Sequence, residues 1–180
     1  MQFKRIVLMK YGVHASESVE SIITRKQEEL AVNGRFFWGY GGVVCHPIKQ
    51  IIPFLQQDSN DDGTYLLLSR TPSNFNNQPK PAKLCSIDGD NWENIPSGIS
   101  VYGSKYALSC TSLKQCNFDI DLSSYIVGIG PSYGRLLSDY IGGRIDKGCG
   151  LLQPKLFALT KEISLPITWY AKITGAYLLR

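Results

Sequence analysis

FKRIVLMKYGVHASESVESIITRKQEELAVNG, residues 3–34, decides how the fold is read. Residues 3–11 are apolar and β-branched enough for a buried first strand. Ser16 follows as a helix cap, with Glu17 and Glu20 placed in the positive first turn. Val19, Ile22, Ile23 and Leu30 then give the helix an apolar stripe at helical spacing. Asn33-Gly34 stops it, because both residues tolerate the left-handed turn that ends helices.

Working outward, residues 35–47 put aromatic and β-branched residues on a strand that glycines interrupt, the sign of a bulge or a close backbone approach. Ile48, Ile51, Ile52 and Leu55 return to helical spacing. Pro53 lacks an N–H and clashes inside a helix, so two short pieces are expected there. Residues 56–63 are a polar loop, Thr64–Arg70 an apolar strand, and residues 71–81 a second loop rich in Pro, Asn and Ser. Ala82–Ile87 and Asn91–Ile95 form a hairpin about Asp88-Gly89-Asp90. Strands are expected over Val101–Cys110 and Asp119–Ile129, a short helix over Leu136–Ile141, and strands around Leu156–Glu162 and Ile167–Leu179. The fold class is α+β: one domain over residues 1–180, a curved mixed or antiparallel sheet, one long N-terminal helix and short helices. No repeat or linker divides the chain.

Composition narrows the function classes. The net charge is +4, from 19 basic and 15 acidic residues. Residues 1–50 contribute 7 − 4 = +3, residues 51–100 contribute 3 − 6 = −3, and residues 101–180 contribute 9 − 5 = +4. Binding to a DNA duplex needs a dense basic stripe, and an acidic middle third argues against it. The longest apolar runs are far short of the ~20 residues that span a bilayer. Five cysteines and no secretory leader pattern point to reduced thiols and a cytoplasmic location.

Three segments could carry chemistry. In Phe36-Phe37-Trp38-Gly39-Tyr40-Gly41-Gly42, a strand would put Phe36, Trp38 and Tyr40 on one face. That face serves either as core or as a stacking platform for a planar ligand. In Gly128-Ile129-Gly130-Pro131-Ser132-Tyr133-Gly134-Arg135, a glycine turn before a helix is either a plain turn or an anion site. In the second case Ser132, Tyr133 and Arg135 would bind a phosphate, helped by Arg144 or Lys147. It lacks the Gly-Lys-Ser/Thr ending of a P-loop and the spacing of a dinucleotide fingerprint. In Cys45-His46, neighbours on a strand point to opposite faces, so His46 is poorly placed to activate the thiol. No paired Cys or His spacing suggests zinc, and Asp58, Asp61 and Asp62 lack the spacing of an EF-hand. No metal or cofactor is expected.

The reading favoured by these residues is a binding protein for a small phosphorylated, nucleotide-like ligand, in a sequestering or sensing role. Trp38 and Tyr40 would stack the planar part, and His46 is a further ligand-binding candidate. The glycine turn and the basic residues after it would hold the phosphate. This requires segments about a hundred residues apart to meet, within one copy or across a homo-oligomer interface. Three alternatives stand beside it. One is a nucleotide or glycosidic-bond hydrolase drawing on Asp119, Asp121, Asp139 or Asp146 with His14 or His46. One is a reader of single-stranded nucleic acid or of a modified base. The last is an interaction module whose rings only pack.

Overall fold

The computed structural model describes residues 2–42, 46–56, 63–75, 80–142, 145–154 and 163–180. They build an α+β domain with one mixed sheet of nine strands and three α-helices. In chain order these are β1 (Arg5–His14), α1 (Val19–Asn33), β2 (Phe36–Tyr40), α2 (Ile48–Gln56), β3 (Thr64–Phe75), β4 (Leu84–Ser86), β5 (Glu93–Asn94), β6 (Tyr106–Asp121), β7 (Tyr125–Val127), α3 (Leu137–Tyr140), β8 (Lys147–Leu152) and β9 (Ser164–Leu179). The strand order is β2-β6-β9-β3-β1-β8-β7, with the β4–β5 hairpin attached to the end of β9. Only β1 and β3 run parallel; every other pair is antiparallel.

Alternation along the strands sorts the core into two faces. Val7 and Met9 of β1, Leu66 and Leu68 of β3, and Leu108 of β6 meet α1 and α2. Ile6, Leu8 and Leu67 point the other way, toward Leu137 of α3 and Tyr125 of β7. A third, smaller cluster puts Phe37 with Cys85 and Val101 beneath the hairpin.

Several expectations are corrected. Ser18, not Ser16, caps α1: its Oγ accepts from Ser21 N at 3.1 Å. Ala15 and Ser16 hold left-handed φ of 50° and 68°, in a turn that bonds His14 to Glu17 and delays the helix. Gly34, also left-handed, ends α1 by donating to Leu30 O. Residues 48–56 form one helix, not two pieces. Pro53 costs that helix about 3 kcal/mol. Burial of Ile51 and Phe54, at roughly 1.5–3 kcal/mol each, offsets the loss.

β3 also outlasts the expected loop, running through Pro72 to Phe75. A register shift between Tyr11 and Val13 breaks its ladder with β1 at this point, and proline is tolerated at such irregularities. β6 begins at Tyr106, later than expected, and then runs to Asp121 through the mostly polar stretch 111–119. The expected strand over 119–129 is cut by a 3-10 turn at Leu122–Ser124. β8 was not expected, because Gly148 and Gly150 weaken any strand signal. A Cβ on Gly150 would stand 2.9 Å from both Ile6 Cγ1 and Leu137 Cδ2, so glycine is what lets β1 and α3 close on that strand. The strand expected around 156–162 lies outside the described residues.

β2, at one end of this strand order, lies against the end of β1 and the start of β8. β2 and the β1–β8 pair lie far apart in the order, yet the Trp38 ring meets the Tyr11 ring edge-on at 6.0 Å. Lys147 Nζ, at the start of β8, donates to Gly41 O just past β2.

Candidate functional site, a cleft between β2 and the β1–β8 pair

Where these strands meet, the surface opens into a cavity of about 280 Å³. Tyr11, Gly12 and His14, from the last residues of β1, form one wall. Trp38, Gly39, Gly41 and Gly42 form the opposite wall. The loop Ser100–Ser104 closes a third side, with Tyr102 on the rim at 37% exposure. Arg25 and Lys26 of α1 and the pair Asp146–Lys147 complete the lining.

The charges in this lining are largely spoken for. Arg25 donates from Nε and Nη2 to the two oxygens of Glu17, at 2.9 and 2.7 Å. This fork holds the Glu17 carboxyl below its usual range. Behind it, Glu29 is fully buried and collects four donors: Lys26 Nζ at 2.9 Å, Arg25 Nη1 at 3.2 Å, Ser100 N at 3.0 Å and Phe37 N at 3.3 Å. Burial pushes Lys26 down to about 8, with Glu29 pulling it back, so it stays charged at neutral pH. Lys26 also donates to Ser100 O at 2.8 Å. One carboxylate thus ties α1, β2 and the rim loop together. Lys147, also buried, donates to Gly41 O. Its partner Asp146 lies 3.4 Å away, and its ammonium sits 5.5 Å over the Tyr40 ring.

Tyr40 and His46 stand behind the wall, not on it. Tyr40 is fully buried and stacks on Tyr106 at 5.0 Å with an interplanar angle of 14°. Its hydroxyl bonds His46 Nδ1 at 3.1 Å, and Tyr106 donates to His46 O at 2.8 Å. Burial, helped by the charge of Lys147, lowers the His46 pKa; burial lowers that of His14 as well. The unfolded chain therefore takes up these protons first, near its ordinary histidine pKa of about 6.5. Stability present above that pH should fall as pH drops below it, well before the carboxylates titrate. Melting temperature followed against pH in wild type and His46→Gln checks this: the variant should show a shallower decline just below that pH.

The other sequence candidates fall in three groups. Trp38 and Lys147 line the cleft together. Ser132, Tyr133 and Arg135 do not. Their turn spends its N–H groups on itself: Tyr133 N donates to Gly130 O, Gly134 N to Val127 O and Arg135 N to Ser132 O. The helix that follows is one turn long, and Tyr133 is 65% exposed. The turn touches the site only from behind, where Gly130 lies against the His46 ring. Arg144 and Cys45 lie outside the described residues. Of the candidate acids, Asp121 is occupied in capping the 3-10 turn, accepting from Ser123 N at 2.9 Å and Ser124 Oγ at 2.7 Å. Asp119 and Asp139 are exposed away from the cleft, whereas His14 and Asp146 line it.

Sequence reasoning missed Arg25, Lys26, Glu29 and Tyr102. A signal existed for two of these: Lys26 and Glu29 fall on the apolar stripe of α1, where a charge must find a partner. Among the described residues no group of His, Cys, Asp or Glu is placed to hold a metal, and no helix is long and apolar enough to cross a membrane. Burial raises the thiol pKa of Cys85, Cys110 and Cys116, and pushes Cys149 up to about 12. None of the four is set up as a nucleophile.

Comparison with known proteins finds no matching family model, no matching curated protein and no matching solved structure.

Proposed function

We propose that this cleft binds a small planar ligand bearing an anionic group, of nucleotide or nucleotide-derived type, in a sequestering or sensing role. One observation carries the reading: Trp38 and Lys147, distant in sequence, line one cavity of about 280 Å³ beside glycine backbone. The half-exposed ring of Tyr102 offers a face to a planar group, and the buried rings of Trp38 and Tyr11 share the lining. Lys147 would supply the positive charge for the anion, sharing its ammonium with Gly41 O and with Asp146, which lies 3.4 Å away. Arg25 and Lys26 are committed to Glu17 and Glu29. A singly phosphorylated ligand suits this balance better than a polyphosphate. Every residue used comes from one copy of the chain. The four described cysteines are all free thiols, which fits a cytoplasmic setting.

A hydrolytic reading of the same cleft draws on His14 and Asp146, which share its lining. Mass spectrometry of ligand released from the purified chain tests both. Binding predicts a phosphorylated heterocycle recovered unchanged from wild type and depleted from Tyr102→Ala. Stacking on one ring accounts for about 1–3 kcal/mol, or about 5- to 150-fold in affinity. Tyr102 lies on the rim, so the variant should keep its fold. Turnover of the released species on reincubation would favour the hydrolase. Empty wild-type protein that also ignores added mononucleotides would remove the ligand reading.

A further inference from the structure

One wall of the cleft is β2, the strand at one end of the sheet order, and its outer edge has a defined polarity. Phe37 N donates to Glu29 Oε2, not to β6. Backbone groups alternate sides along a strand, so Phe36, Trp38 and Tyr40 exchange bonds with β6 while Phe37 and Gly39 turn their N–H and C=O outward. Ser109, opposite Phe37, agrees: its carbonyl turns away from β2 and accepts from Thr174 Oγ1 at 3.1 Å. Glu29 satisfies Phe37 N at one end of this edge, and Lys147 takes Gly41 O at the other. Between them Gly39 lines the cleft, and its outward N–H and C=O have no partner among the described residues. An unpaired donor–acceptor pair of this kind favours a ligand that completes it.

We infer that Gly39 reads the ligand's heterocycle through its backbone, pairing its N–H and C=O with an acceptor–donor edge such as a nucleobase presents. This rests on the proposed function and names the chemistry of that site. Between the two anchors the outward groups are Phe37 C=O, the N–H and C=O of Gly39, and Gly41 N–H, so the open stretch is short and centres on Gly39. An added peptide strand would need several consecutive free units. A planar group paired in the plane of the strand edge shows its two faces to side chains on either side of it. Trp38 lies on the inner side. Ser104, which the absence of a side chain at Gly39 lets approach, lies on the outer side: a Cβ there would be 2.3 Å from Ser104 Oγ. Recognition by backbone would be blind to most side-chain substitution and sensitive to the ligand's edge.

The test uses AMP, GMP, CMP and UMP, and each again with its base methylated on the hydrogen-bonding edge, in calorimetric titrations of the full chain. Amide hydrogen exchange at Gly39 is followed in the same samples. The expected result is that at least one unmodified mononucleotide binds, that its methylated analogue binds about tenfold more weakly or worse, and that only the unmodified ligand slows exchange at Gly39. Equal binding of the two, with Gly39 exchange unchanged, overturns backbone reading and leaves the ligand-binding function standing. Failure of every probe to bind overturns both.

Discussion

Glu29→Ala should cost this protein about 3–5 kcal/mol, about a fifth or more of the stability ordinary for a domain. The Glu29 side chain is 0% exposed and accepts from Lys26, Arg25, Ser100 N and Phe37 N. Removing it leaves the Lys26 ammonium buried beside a single carbonyl, Ser100 O, and strands two backbone N–H groups. Each loss alone would matter; together they release the rim loop and β2 from α1. Urea unfolding measures the effect. Glu29→Ala combined with Lys26→Met should recover part of it, because the stranded charge is then gone. A Glu29→Ala loss within about 1 kcal/mol would mean that water satisfies the network and that it holds nothing together.

Gly12→Ala should be nearly as damaging, at about 3 kcal/mol, for a steric reason. A Cβ at Gly12 would stand 2.3 Å from Ser73 O and 2.9 Å from Thr71 O. Both are backbone atoms of β3, so neither can rotate away. The parallel β1–β3 ladder shifts register at this point, and a side chain there would force the strands apart beside the cleft. Gly175→Ala in β9 is the control. Its Cβ meets nothing within 4 Å, and its stability should stay within about 0.5 kcal/mol of wild type. Equal losses in the two variants would show that glycine at position 12 serves flexibility and not close approach.

These two positions also mark what the sequence could and could not disclose. β1 and α1 were legible because each keeps one period: Val7, Met9 and Tyr11 alternate with Ile6 and Leu8, and Val19, Ile22 and Ile23 repeat at helical spacing. β6 was not. Its inner residues Leu113, Cys116 and Phe118 fall out of step because three register shifts with β9 break the alternation. β8 was hidden by glycines whose value is contact with Ile6 and Leu137, distant in sequence. At the site, the ring face of Phe36, Trp38 and Tyr40 was readable, but its division was not. Tyr40 went to the core against Tyr106, and Trp38 reached the cleft against Tyr11. The glycine turn at 128–135 resembled an anion loop only while its N–H groups were taken as free; its own carbonyls use them. Lys147 was chosen as a phosphate ligand near that turn, and it stands instead across from Gly41.

The ligand reading stands or falls on where a mononucleotide touches the chain. Titration of isotopically labelled protein with AMP, GMP, CMP and UMP, followed through backbone amide and indole N–H resonances, measures this directly. The account predicts saturable shifts at the Trp38 indole, Gly39, Gly41, Tyr102 and Lys147, with Ser132, Tyr133 and Arg135 unmoved. Shifts confined to the 128–135 turn, or none at any concentration up to millimolar, would contradict it.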